Sequence, residues 1–159
     1  RGTYTSQALV KKNNRKSEFA LHNAEFWNAM AGLEGKAYPA EELETNWKEV
    51  LLYQFHDILP GSSIAKVYVE ANAGYKNLLE NVNGLTEAAQ NYLAKDDSEA
   101  VSVMNSLGFE RKALVKLPDT FVNGAELANG TTVPVYPTDN GLTAVVTVPS
   151  YGSVSLRPA

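Results

Sequence analysis

Leu93-Ala94-Lys95-Asp96-Asp97-Ser98-Glu99-Ala100-Val101-Ser102-Val103-Met104 decides the fold, because the spacing of apolar residues changes across it. Before it, apolar side chains recur every three or four residues, the repeat of a helix that buries one face. After it they alternate, as in a strand with one buried face. The charged run Lys95-Asp96-Asp97-Ser98 reads as a linker. The expected division is therefore a helical domain over residues 1–97 and a β domain over residues 98–159.

Working back from the linker, Ile64, Val67, Tyr68, Ala71, Tyr75, Leu78, Leu79, Val82, Leu85, Ala89 and Leu93 keep one stripe going past Gly74 and Gly84. They predict a long third helix capped by Ser62 or Ser63. The second helix is expected to begin at Pro39, with Glu41, Glu42 and Glu44 at the positive end of its dipole. Leu43, Trp47, Val50, Leu51, Gln54 and Ile58 would form its buried face, and Pro60-Gly61 its end. In the first helix, Phe19, Phe26, Met30 and Leu33 read as the core stripe, His22 as a histidine at its edge, and Gly35 as the stop. Beyond the linker, strands are expected at 101–104, 113–117, 133–136, 142–148 and 154–156, separated by turns at Asn123-Gly124, Asn129-Gly130 and Asp139-Asn140-Gly141. The fold class is thus α+β: an antiparallel three-helix bundle followed by a partial antiparallel β-sandwich.

Composition narrows the function. With 159 residues, 44% of them hydrophobic, the chain can build one core or two small ones. A net charge of -4 argues against a nucleic-acid surface, and the cluster Lys11, Lys12, Arg15 and Lys16 reads as a solvated helix entry. The absence of cysteine excludes disulfides and thiolate metal ligands and fits a reducing compartment. No apolar run approaches the roughly 20 residues of a membrane span. A start at Arg1 and a stop after a strand-like run lead us to expect truncation at both ends.

Chemistry concentrates in Gln54-Phe55-His56-Asp57-Ile58-Leu59-Pro60-Gly61, which places an imidazole next to a carboxylate at the expected end of the second helix. His56 falls opposite the apolar stripe, so it should be exposed, while Asp57 lies on the stripe's flank. A plainer reading is that the pair only complements the helix dipole. The two histidines make no HExxH-type pair, and no phosphate loop or nucleophile elbow is present. Trp27 and Trp47 read as packing residues rather than a sugar platform. A self-contained base-and-orienter pair is disfavoured, since neighbours on a helix diverge by about 100°.

Three segments carry a family resemblance. Arg1-Gly2-Thr3-Tyr4-Thr5-Ser6-Gln7, the basic stretch leading into Asn14-Arg15-Lys16-Ser17-Glu18, and Gln54-Phe55-His56-Asp57-Ile58-Leu59-Pro60-Gly61-Ser62 resemble, in order and spacing, glycoside hydrolase family 38 α-mannosidases. Asn105-Ser106-Leu107-Gly108-Phe109-Glu110-Arg111 resembles the start of that family's C-terminal β-domain. The resemblance implies a longer parent with an N-terminal α/β catalytic domain, absent from this chain. That domain would supply a His and two Asp to a Zn²⁺ ion, and His56 would be the fourth ligand. One of those Asp would be the nucleophile of a retaining reaction, and a further carboxylic acid the acid/base. Asp57 would hydrogen-bond mannose hydroxyls, and Tyr4 would lie near the pocket mouth. No catalytic residue would fall within the chain, which alone should be inactive and hold zinc weakly.

The implied partners are the missing α/β domain and a mannoside substrate, with no nucleic acid or membrane and with homo-oligomerisation open. The Phe-His-Asp-Ile-Leu-Pro-Gly form and the lack of cysteine are closest to cytosolic members, so the expected compartment is cytoplasmic. The rival reading is a non-catalytic structural or carbohydrate-binding module.

Overall fold

The computed structural model describes residues 5–95, 97 and 99–159. The chain divides between Leu93 and Ala94 into two compact units, one helical and one built of two antiparallel sheets, which is the α+β class expected. Among the described residues, no helix is long and apolar enough to cross a membrane.

The helical unit contains α1 (Ala8–Leu33), α2 (Ala40–Tyr53) and α3 (Ala65–Ala94). Cross-links between side chains give their directions. Asn14 meets Gln54 while Glu25 meets Trp47, so α1 and α2 run antiparallel. Asn14 meets Tyr75 while Asn28 meets Leu85, so α1 and α3 run parallel. The result is an up-down-up bundle. Its inward rows alternate steps of three and four residues: Val10, Asn14, Ser17, Leu21, Ala24, Asn28 and Ala31 on α1, and Tyr68, Ala71, Tyr75, Leu78 and Val82 on α3. That spacing keeps one seam facing the neighbouring helices.

The row expected to be buried on α1 is not the one observed. Phe19 and Leu33 are 62% and 82% exposed, Met30 is also exposed, and His22 lies at the surface. The inward row is instead mostly small and polar residues beside Val10 and Leu21, which lets the helices approach closely, while Asn28 Nδ2 satisfies its burial by donating to the Ala24 and Leu85 carbonyls at 2.9 and 3.1 Å. Trp27 is buried, and Trp47 packs on the Leu21–Leu43–Val50–Leu78 cluster with its indole N–H donating to Glu25 at 3.0 Å, so both tryptophans are packing residues as expected.

Gly35 ends α1 as expected. Its φ of +98° lets the Lys36 N–H reach the Ala31 carbonyl at 3.0 Å and its own N–H reach Gly32 at 3.1 Å, the paired bonds of a Schellman cap. The end of α2 differs from expectation: it stops at Tyr53, not at Pro60-Gly61.

Among its described residues the β unit has seven strands: β1 (Val101–Asn105), β2 (Arg111–Leu117), β3 (Ala125–Leu127), β4 (Thr132–Val133), β5 (Val135–Thr138), β6 (Gly141–Val148) and β7 (Gly152–Pro158). One sheet has the order β1-β7-β3-β4 and the other β2-β6-β5, all neighbours antiparallel. Leu117, Ala144, Val146 and Val148 from one sheet and Ala125, Val133 and Leu156 from the other share a core with Phe121. The expected strand over 133–136 is split at Pro134, which has no N–H for a ladder, and its two pieces join different sheets. The three expected turns each carry a glycine with positive φ, at Gly124, Gly130 and Gly141. Asn105, also buried, donates to the Phe109 and Pro149 carbonyls at 2.8 and 3.0 Å and ties down the Asn-Ser-Leu-Gly-Phe connection.

Candidate functional site

Residues 54–61 form an irregular loop between α2 and α3. Successive turns build it: Phe55 N–H to Leu52 O, Ile58 N–H and Leu59 N–H to Phe55 O, and Gly61 N–H to Ile58 O, all 2.9–3.1 Å. Helix cannot resume at the loop's end, because Pro60 disfavours helical geometry at Leu59 and Gly61 adopts a φ of +96° that suits glycine. Ile58 and Leu59 turn inward onto Val10, Tyr68 and Tyr75. The polar pair of the loop turns outward.

His56 and Asp57 are 76% and 58% exposed at their side chains, and the imidazole Nε2 lies 3.4 Å from the Asp57 Oδ2. The expected divergence of the two side chains is therefore corrected. It assumed a helix, and the turn that replaces the helix lets neighbouring side chains converge. Asp57 is neither on a helix flank nor a buried acceptor. Its backbone carbonyl is the fixed point, accepting from Ser63 Oγ at 2.6 Å and from Tyr68 Oη at 3.2 Å, while Ser62 Oγ sits 3.4 Å from the Asp57 Oδ1. The serines expected to cap α3 thus direct their hydroxyls at Asp57. Phe55 packs its ring on His56, with centroids 4.2 Å apart, and is itself exposed.

Beneath the loop lies a polar layer that the linear pattern did not reveal. Gln54, expected as part of an apolar stripe, donates through Nε2 to Asn14 Oδ1 at 3.0 Å and Glu18 Oε1 at 3.1 Å. Tyr75 Oη approaches the same Asn14 oxygen at 3.4 Å. Burial, and then the Glu18 carboxylate, push the Tyr75 phenol up to about 12. Tyr53, which donates to Glu49 at 2.6 Å, is raised further by the same burial. Lys11, expected as a solvated cation, donates to the carbonyls of Ser6, Leu59 and Pro60 at 2.5, 3.0 and 3.3 Å. Ser6 also sits under Gly61, where an added Cβ would come 2.8 Å from the serine Cβ. Ser6 from the first of the segments that carried the family resemblance, Asn14 and Glu18 from the second and Gln54 to Gly61 from the third therefore meet at one end of the bundle. Tyr4, the other expected substrate contact, lies outside the described residues.

Could this end of the bundle hold a metal? Among the described residues no group of three His, Asp or Glu side chains is placed to do so. An exposed imidazole beside an exposed carboxylate, neither used by the core, fits one or two contributed ligands but not a closed centre.

Residues 1–93 match the family profile described as the alpha mannosidase middle domain. The chain is 33% identical to human alpha-mannosidase 2C1 over 99% of its own length, although it spans only 14% of that protein. It is 36% identical to the alpha-mannosidase of Saccharomyces cerevisiae over 70% of its length, spanning 11% of that relative. In structure it resembles a glycosyl hydrolase family 38 protein and an alpha-mannosidase, both from Enterococcus faecalis, with TM-scores of 0.76 and 0.77 over 99% of this chain and 25% and 24% of theirs. Identity to each is 18%, so these two likenesses speak to the fold. With a profile matched by its whole helical unit and relatives that agree with it, this chain belongs to the alpha-mannosidase middle-domain family.

Proposed function

We propose that this chain is the middle portion of a zinc-dependent, retaining α-mannosidase that removes terminal α-linked mannose from oligosaccharides. The observation that carries the reading is the placement of His56 and Asp57: an accessible imidazole and carboxylate on a loop anchored from below, within a helical unit that matches the family. His56 would offer one nitrogen to the metal, and Asp57 and Tyr4 would accept or donate hydrogen bonds to mannose hydroxyls. A zinc ion, when bound, supplies an electrophilic centre that orients sugar hydroxyls. The nucleophile and the acid/base would come from an α/β domain of the same polypeptide outside these 159 residues, so the chain alone is inactive. A cytoplasmic location fits the cysteine-free sequence.

The test is a His56→Ala substitution in the full polypeptide that contains this chain, with metal content and mannoside hydrolysis measured together. We expect both to fall. Unchanged metal content and unchanged hydrolysis would sink the proposal. On the isolated 159 residues, calorimetric titration with Zn²⁺ should show no sub-micromolar stoichiometric binding.

A second reading, a carbohydrate-binding or structural module, is favoured by one feature of the β unit. Glu126, Gly130, Ser155 and Arg157 line a recess of about 620 Å³ on it. A glycan array separates the two, since the mannosidase reading gives the isolated chain no affinity of its own.

A further inference from the structure

We infer that Lys11 is a positioning residue for the His56–Asp57 loop, acting together with Gln54 from the loop's other end; the importance given to that loop rests on the function proposed above. The α1 residues Lys11, Asn14 and Glu18 follow one another at helical spacing, so they form a polar row along one edge of the helix. Asn14 and Glu18 receive both Gln54 Nε2 bonds and fix the residue where the loop begins. Lys11 donates to the Leu59 and Pro60 carbonyls and fixes the residues where it ends. The two residues proposed to meet metal and sugar lie between these anchors.

Apolar burial does not replace this arrangement. Ile58 and Leu59 hold the loop to Val10, Tyr68 and Tyr75, but such contacts are non-directional and tolerate sliding. An ammonium shared by three carbonyls is directional and charge-assisted, and it ties the end of the loop to α1, which neither the turn bonds within the loop nor the Ser63 and Tyr68 bonds to the Asp57 carbonyl do. The third carbonyl belongs to Ser6, against which Gly61 packs, so one side chain joins the segment before α1 to the end of the loop. Lysine suits the position for its reach and its three donors.

Four forms of the chain decide the matter: wild type, Lys11→Met, Lys11→Arg and Gln54→Met. Two readouts are local to the loop, namely amide hydrogen exchange at Leu59 and Gly61 and the shift that the Phe55 ring current imposes on the His56 ring protons. In Lys11→Met we expect exchange at Leu59 and Gly61 to quicken about ten- to a hundredfold, as for loss of a charged hydrogen bond. The His56 protons should move toward their values in an unstructured peptide, while the α3 amides of Leu78 and Val82 keep their protection. Lys11→Arg, which restores the donors, should recover most of both signals. Unchanged loop exchange and ring shifts in Lys11→Met would overturn the assignment, and so would equal loosening of α3, which would make Lys11 a general bundle residue. If Lys11→Met does not fold, Gln54→Met read in the same way decides. Neither readout involves metal or hydrolysis, so failure of the mannosidase reading would show separately, in the His56→Ala enzyme.

Discussion

The parallel helices α1 and α3 solve the same packing problem with opposite materials. Each presents an inward row stepped by three and four residues. On α3 that row is mostly bulky, with Tyr68, Tyr75, Leu78 and Val82 beside the small Ala71; on α1 it is mostly small or polar, with Asn14, Ser17, Ala24, Asn28 and Ala31 beside Val10 and Leu21. The large apolar residues Phe19 and Leu33 of α1 instead stand in solvent. So the side that packs is set by the fit of the partners and not by hydrophobicity alone. One helix supplies apolar volume. Its counterpart supplies close approach, together with the polar groups that hold the loop carrying His56.

The largest expected effect breaks the comparison where α3 supplies volume. Leu78→Ala should cost about 2–5 kcal/mol in chemical denaturation, by lost transfer energy and a cavity, whereas Phe19→Ala should change stability by less than about 0.5 kcal/mol. An equal loss from both would mean that the two faces of α1 are wrongly distinguished. Next comes Gly74, a point where α3 gives up volume to a neighbouring side chain. A Cβ there would collide with the Tyr53 hydroxyl and stand 2.6 Å from the Glu49 carboxylate, displacing a bonded pair. Gly74→Ala should destabilise by about 1–2 kcal/mol, overpacking outweighing the better helix propensity of alanine. Tyr53→Phe should recover part of that loss, because it removes the colliding oxygen.

A smaller effect is expected at Tyr75, whose burial holds its proton up to about 12 against an ordinary 10.0. A raised pKa means that the folded state keeps a proton the unfolded chain releases. The stabilisation is therefore complete below pH 10 and is lost as pH rises from there toward 12. Tyr75→Phe should cost about 0.5–1.5 kcal/mol at neutral pH and make the decline between pH 10 and 12 shallower, followed by denaturant unfolding at each pH. A decline as steep as in wild type would assign the alkaline loss to other groups.

Legibility in the sequence followed the same division. The stripe of α3 was readable because its residues are large and periodic, and the strands were readable because glycine turns separate alternating runs. Only Ala125–Leu127 escaped notice, being too short to show a period, and Pro134 marked a break that the run 133–136 concealed. On α1 the pattern misled, since Asn14, Ser17 and Asn28 carry no hydrophobic signal yet are buried, while Phe19 carries a strong one and is not. The exposed His56–Asp57 pair was visible as chemistry. Its support was not: Lys11 meets Leu59 and Pro60 through backbone carbonyls, and a carbonyl has no side-chain identity that sequence could display. The helix end at Tyr53 was lost for a related reason, because Ile58 still falls on the apolar stripe although it reaches the core from a turn.

Gly84 sharpens the contrast from the solvent side, with the smallest expected effect. It lies in α3 like Gly74, with helical neighbours on both sides, but a Cβ added to it would meet nothing within 4 Å. Glycine here brings no close approach and only carries its entropic cost into the helix. Gly84→Ala should therefore stabilise the helical unit by about 0.5–1 kcal/mol, the reverse of Gly74→Ala. Measured side by side, the pair removes residue type and helix as variables and leaves only the facing surface. If both substitutions stabilise, Tyr53 yields freely and α3 has no close approach at Gly74; if both destabilise, the exterior of α3 near Gly84 is covered. Opposite signs would establish that α3, bulky along most of its inward row, is cut back at Gly74 beside that row to admit the Tyr53–Glu49 pair that leads into the His56 loop.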